Sequence, residues 1–65
     1  MKIKSSSTHL VVVQYAYANY DKGDVISQHK SYELARKAAG DNSHVRVVDV
    51  DDVRGGTAWV NAKFA

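Results

Sequence analysis

Sixty-five residues, nine Lys/Arg against seven Asp/Glu, give a formal charge of +2 on a chain that is 45% apolar and lacks cysteine and proline. That length supports one domain, 1–65, with a thin core, because so small a chain buries only about 60% of the surface its unfolded form exposes. A disulfide framework and a thiolate metal site are excluded, the mild charge argues against a life on phosphate contacts, and no apolar run approaches the roughly 20 residues of a membrane span.

The opening MKIKSSS is polar and serine-rich and reads as a flexible N-terminus over 1–7. THLVVVQYAYANY is the strongest strand, dense in β-branched and aromatic residues. Alternation places Leu10, Val12, Gln14, Ala16 and Ala18 on one face and His9, Val11, Val13, Tyr15 and Tyr17 on the other. Both faces are partly apolar, which suits a central strand. NYDKGD is a turn, with Asn, Asp and Gly supplying its special dihedrals. DVISQHK follows as a polar second strand, antiparallel to the first and suited to an edge.

SYELARKAAG carries the one clear helical rhythm. Ser31 is an N-cap, Glu33 suits the positive end of the dipole, and Gly40 is a C-terminal stop. Leu34, Ala35 and Ala38 form its apolar side, and the alanines imply close approach to a sheet. SHVRVVDV is a third strand, with Val45 and Val47 on one face and Arg46, Val48 and Val50 on the other. DDVRGG reads as a loop. TAWVNAKF reads as a fourth strand, with Ala58, Val60, Ala62 and Phe64 opposed to Thr57, Trp59, Asn61 and Lys63.

The expected fold is therefore α+β and two-layered: a four-stranded, mainly antiparallel sheet with one helix on one face, in the order ββαββ. We expect the helix on Leu10, Val12, Ala16, Val45, Val47, Ala58, Val60 and Ala62, with Val11 and Val13 competing for that place. The opposite face would then show Val11, Val13, Tyr15, Tyr17, Arg46, Val48 and Trp59, an apolar patch of the kind that marks interaction sites. Tyr, Trp and Arg are also the residue types enriched at binding hot spots. Tyr20 and Tyr32 read as packing residues of a loop and of the helix start.

The acidic run Asp49, Asp51 and Asp52 lacks the glutamate and glycine spacing of a calcium loop and reads as a solvated turn that can meet a basic partner. His9, His29 and His44 are isolated in sequence. Ser27, His29 and Asp24 can be written as a triad, but no nucleophile elbow or oxyanion glycine accompanies them. We expect no enzyme, no metal and no cofactor, and a cytoplasmic location.

From Val25 to Gly40, VISQHKSYELARKAAG resembles small phage and bacterial proteins in which a hairpin leads into a helix with Ser31, Ala35, Ala38 and Ala39 at its spacing. Small anti-CRISPR proteins are similar in size and layout. That resemblance implies a phage-encoded, non-catalytic inhibitor that covers a surface of a host CRISPR–Cas complex. The strand–strand–helix order is also similar to the arm-type DNA-binding domain of phage integrases, from which this chain departs in having fewer basic strand residues and one strand fewer before the helix. The matching residues are structural, so neither group lends a functional residue.

The expected function is protein binding through Tyr15, Tyr17, Arg46 and Trp59, with Asp49, Asp51 and Asp52 as an acidic contact. The alternative is single-stranded nucleic acid stacked on the same aromatics. Self-association through a sheet face or edge is a third outcome.

Overall fold

The computed structural model describes residues 2–64. It contains β1 (Lys2–Ile3), β2 (His9–Val13), β3 (Val25–His29), α1 (Tyr32–Ala39), β4 (Val45–Asp49), α2 (Val50–Arg54) and β5 (Lys63–Phe64). The fold is α+β, but the expected four-stranded sheet is replaced by two smaller ones. Three antiparallel strands lie in the order β3-β2-β4, and β1 pairs with β5 in a separate parallel ribbon.

The helix α1 forms where its caps predict. The Ser31 hydroxyl accepts from the Leu34 amide at 3.2 Å, and the Gly40 amide closes the last turn on the Arg36 carbonyl at 3.0 Å. Gly40 has φ +56°, the left-handed value that favours glycine at this position. The buried stripe is Ala35 and Ala39, four residues apart. Leu34 and Ala38 face outward, a correction to the expected apolar side.

The helix also covers the other face of β2 from the one assigned by sequence. Val11, Val13, Ala35, Ala39 and Val45 form one core, with Tyr17, Ile26 and Val47 against it. Register explains this. Val11 stands opposite Val47, and Val13 opposite Val45, so these pairs share a face. Leu10 and Val12 point to a second core with Ile3, Val50 and Val60. On β3, Ile26 is the extra residue of a bulge, which sends Val25 to the second core and Ile26 to the first.

Both faces of the three-stranded sheet are therefore covered by the chain itself. The second cover is built from segments that the sequence places elsewhere. Residues 1–7 were expected to be loose, yet Ile3 is fully buried and Ser7 nearly so, Met1 lying outside the described residues. Ordering residues 2–7 costs about 1–2 kcal/mol of backbone entropy each, more than the about 2–3 kcal/mol that burying Ile3 returns, so the segment needs further contacts. Gln28 supplies three of them. Its side-chain oxygen accepts from the Lys4 amide at 2.8 Å and the Ser7 hydroxyl at 2.6 Å, and its amide donates to the Lys2 carbonyl at 3.0 Å.

The expected loop over 51–56 and the end of the expected third strand at Val50 are instead the short helix α2, Val50–Arg54. The Asp49 carboxylate caps it by accepting from the Asp51 amide at 2.8 Å. The expected fourth strand over 57–64 is mostly irregular. Only Lys63–Phe64 is a strand, and Asn61 makes a single parallel bridge to Asp24. This segment crosses beneath the sheet because the Asn61 amide reaches the Gly23 carbonyl at 2.8 Å. Gly23, at φ +96°, lets the Trp59 carbonyl come closer than any side chain would allow. Arg54 stacks over the Phe64 ring at 4.1 Å and holds the end of the ribbon.

Candidate functional site

With both faces covered, the free surface lies at the ends and edges of the sheet. The residues that sequence grouped on one face are divided accordingly. Tyr15 and Tyr17 lie at the end where β2 finishes and β4 begins, on or beside the α1 side. Arg46 and Trp59 lie on the α2 side.

The tyrosine end is built by one tight turn. After Val13 the chain leaves the sheet, and the amides of Gln14 and Tyr15 both donate to the His44 carbonyl, at 2.7 and 3.1 Å. Tyr17 and Tyr20 then exchange both backbone hydrogen bonds, at 3.2 and 2.9 Å, across the two residues Ala18 and Asn19. Ala18 pays for this with φ +50°, the region that disfavours any Cβ. The return path is fixed as well: the Asp24 carboxylate accepts from the Asp21 amide at 2.9 Å.

Tyr17 is the fixed member of this group. Its ring lies 5.5 Å from Tyr20 and 4.9 Å from His44, centre to centre. Its hydroxyl accepts from the Asn42 side-chain amide at 3.0 Å, and the Asn42 side-chain oxygen in turn accepts from the His44 amide at 2.9 Å. Tyr17 is half-buried against the α1 core, whereas Tyr15 and Tyr20 are 62% and 42% exposed. Tyr20, Asn42 and His44 were not picked out by sequence as members of a site. The Tyr-Ala-Asn-Tyr spacing is the available signal, since a two-residue turn brings its flanking rings together.

The remaining expected residues gather around β4. Arg46 is exposed and Trp59 half-buried, and together with Asp49, Asp52 and Thr57 they line a cleft of about 250 Å3. Lys22 lies over the Trp59 ring at 5.8 Å. Asp49 is half-buried and 3.8 Å from His9 Nε2, which stands opposite it on β2. Asp51 and Asp52 are exposed in the first turn of α2. At the opposite corner Tyr32, 55% exposed, makes an edge contact with His9 at 5.7 Å, so it is a surface residue rather than the packing residue expected.

Among the described residues no three His, Asp or Glu side chains converge as metal ligands, and no helix is long and apolar enough to cross a membrane. No family model, curated protein or solved structure matches the chain.

Proposed function

We propose that this is a non-enzymatic protein-binding module that docks through its tyrosine end. One observation carries the reading: two tyrosines, 62% and 42% exposed, are held by backbone hydrogen bonds, Tyr15 through its amide to the His44 carbonyl and Tyr20 through its reciprocal pair with Tyr17. A large amphipathic ring with few torsions, held on a rigid support, loses little entropy on binding. Tyrosine is also a residue type that dominates binding energy at protein interfaces. The sequence from Val25 to Gly40 resembles small phage and bacterial proteins, so a host nucleoprotein complex, blocked by surface occlusion, is the partner to try first.

Nucleic acid fits this end less well. Asp21 and Asp24 follow Tyr20 in the same loop, and Asp41 adjoins the Asn42 that holds Tyr17. Carboxylates so placed repel phosphates approaching the rings.

The test is capture from a lysate of the source organism by the immobilised protein and by a Tyr15→Ser/Tyr20→Ser variant. We expect a defined protein or complex to be retained through nuclease treatment and moderate salt. The variant should lose about 2 kcal/mol or more of binding while keeping its unfolding midpoint to within a few degrees. Retention that vanishes with nuclease, or that survives the double substitution unchanged, defeats the proposal.

A further inference from the structure

The three-stranded sheet has two edges, β3 and β4, and the one along β4 lies beside a cleft. Along β3 the N-terminal segment is stitched on by the Gln28 side chain, and Asn61 bridges Asp24. Along β4, among the described residues, no strand occupies the outer side. The direction of its backbone groups follows from the ladder. Gln14 donates to His44, and Val50 donates to Thr8, so residues 44 and 50 turn their polar groups toward β2. Antiparallel pairs alternate by two, which turns 46 and 48 inward as well and 45, 47 and 49 outward. The Val45 amide is taken up by the Asn42 carbonyl at 3.4 Å. Among the described residues, the Val45 carbonyl, both groups of Val47 and the Asp49 amide remain for a partner.

The cleft lies against this same edge. Four consecutive residues of β4, Arg46 to Asp49, form one wall and no β2 residue contributes, so it runs along the outer side of the strand. Asp52, Thr57 and Trp59 form the other wall. Natural edges are blunted by charged side chains, proline, bulges or a covering segment, and this one carries its two charges at Arg46 and Asp49 with Val47 and Val48 between them. Here its residues are Val45, Arg46, Val47, Val48 and Asp49.

We infer that the β4 edge is a second binding site, which takes an extended peptide segment of a partner as a fourth strand. This is strand addition: backbone hydrogen bonds supply affinity, and alternate side chains supply specificity. Asp49 and Asp52 outnumber Arg46 among the residues lining the cleft, and Lys22 already lies over the Trp59 ring, so the side chain that enters beside the two carboxylates is cationic, a lysine or arginine. Arg46 and Asp49 are about 10 Å apart at three strand residues, which keeps the basic and acidic ends of the cleft distinct. This site is separate from the tyrosine end and stands or falls without it.

The probe is a blocked hexapeptide of alternating threonine and lysine, titrated against the full chain while the fluorescence of its single tryptophan, Trp59, is followed. Saturable binding is expected. A version N-methylated on the residues that face the strand, and a version with glutamate for lysine, should each bind roughly tenfold weaker or worse. Asp52→Lys, an exposed position, should reverse the preference between the lysine and glutamate peptides. Tyr15→Ser/Tyr20→Ser should bind the lysine peptide as the parent does. No binding, equal binding of the N-methylated or glutamate peptide, or loss of binding in the tyrosine variant overturns the inference. So does a dimer in sedimentation that excludes the peptide, since a second copy then owns the edge.

Discussion

Replacing Gly23 by alanine tests how the second cover is held on the sheet. An added Cβ would lie inside the van der Waals envelope of the Trp59 carbonyl oxygen, 3.4 Å from the Trp59 carbonyl carbon and 3.5 Å from the Asn61 nitrogen. Those neighbours are backbone and cannot swing aside. The left-handed φ of +96° costs an L-residue about 1–2 kcal/mol. Displacing a packed segment costs about 1–3 kcal/mol more, and the stiffer unfolded chain returns about 0.4–1. The net is about 3 kcal/mol, against a total near 3–10 for a domain of this size. Gly40→Ala is the comparison: its φ of +56° and ψ of −136° also strain an L-residue, but nothing lies within 4 Å of the added carbon, so it carries the backbone cost without the crowding, about 1–2 kcal/mol. Urea unfolding followed by Trp59 fluorescence and circular dichroism reads both. With an m-value near 1.5 kcal/mol/M, Gly23→Ala should lower the midpoint by about 2 M and Gly40→Ala by about 1 M. Equal midpoints for the two variants would refute the claim that residues 59–61 are docked through Gly23.

Gln28→Ala should cost about 2 kcal/mol, because it frees the amide of Lys4, the carbonyl of Lys2 and the nearly buried hydroxyl of Ser7 together; a value below 0.5 in the same unfolding assay would mean that the N-terminal segment is not anchored there. Ala18→Gly should stabilise by about 0.5 kcal/mol, the relief of φ +50° slightly exceeding the entropy of the added glycine, and a loss of stability would show that the turn is not strained as described. Tyr15→Ser/Tyr20→Ser should lower the thermal midpoint by only a few degrees, for the lost Tyr17–Tyr20 ring contact, while abolishing capture, since neither side chain is buried.

Much of the fold is written in local pattern. The caps of α1, the strands at Val25 and Val45 and the turn at Asp21–Asp24 all follow from residue type and spacing. The faces do not. HLVVV is apolar on both sides, so alternation divides it into two equally good sets, and only its register against Val45 and Val47 decides between them. That same run held a clue. A strand apolar on both faces is one covered on both faces, and a single helix covers one. The second cover was illegible because its pieces are two-residue strands and a crossing loop, too short for any period and held by distant partners: Gln28 for residues 2–7, Gly23 for residues 59–61.

The candidate site was legible in part for the same reason. Tyrosines, an arginine and a tryptophan stand out in any sequence, but their grouping depends on which face each strand residue takes. Tyr17 joined Tyr20 and His44 through a turn whose Ala18 carries no turn signature. Arg46 and Trp59 met instead across the β4 cleft.

The most direct measurement is amide hydrogen exchange on the free protein and on its complex with the captured partner. Complex formation should slow exchange in residues 14–20 and 42–44, around the exposed rings of Tyr15 and Tyr20. Unchanged exchange there, with new protection confined to the helix surface around Leu34 or absent altogether, would contradict docking through the tyrosine end.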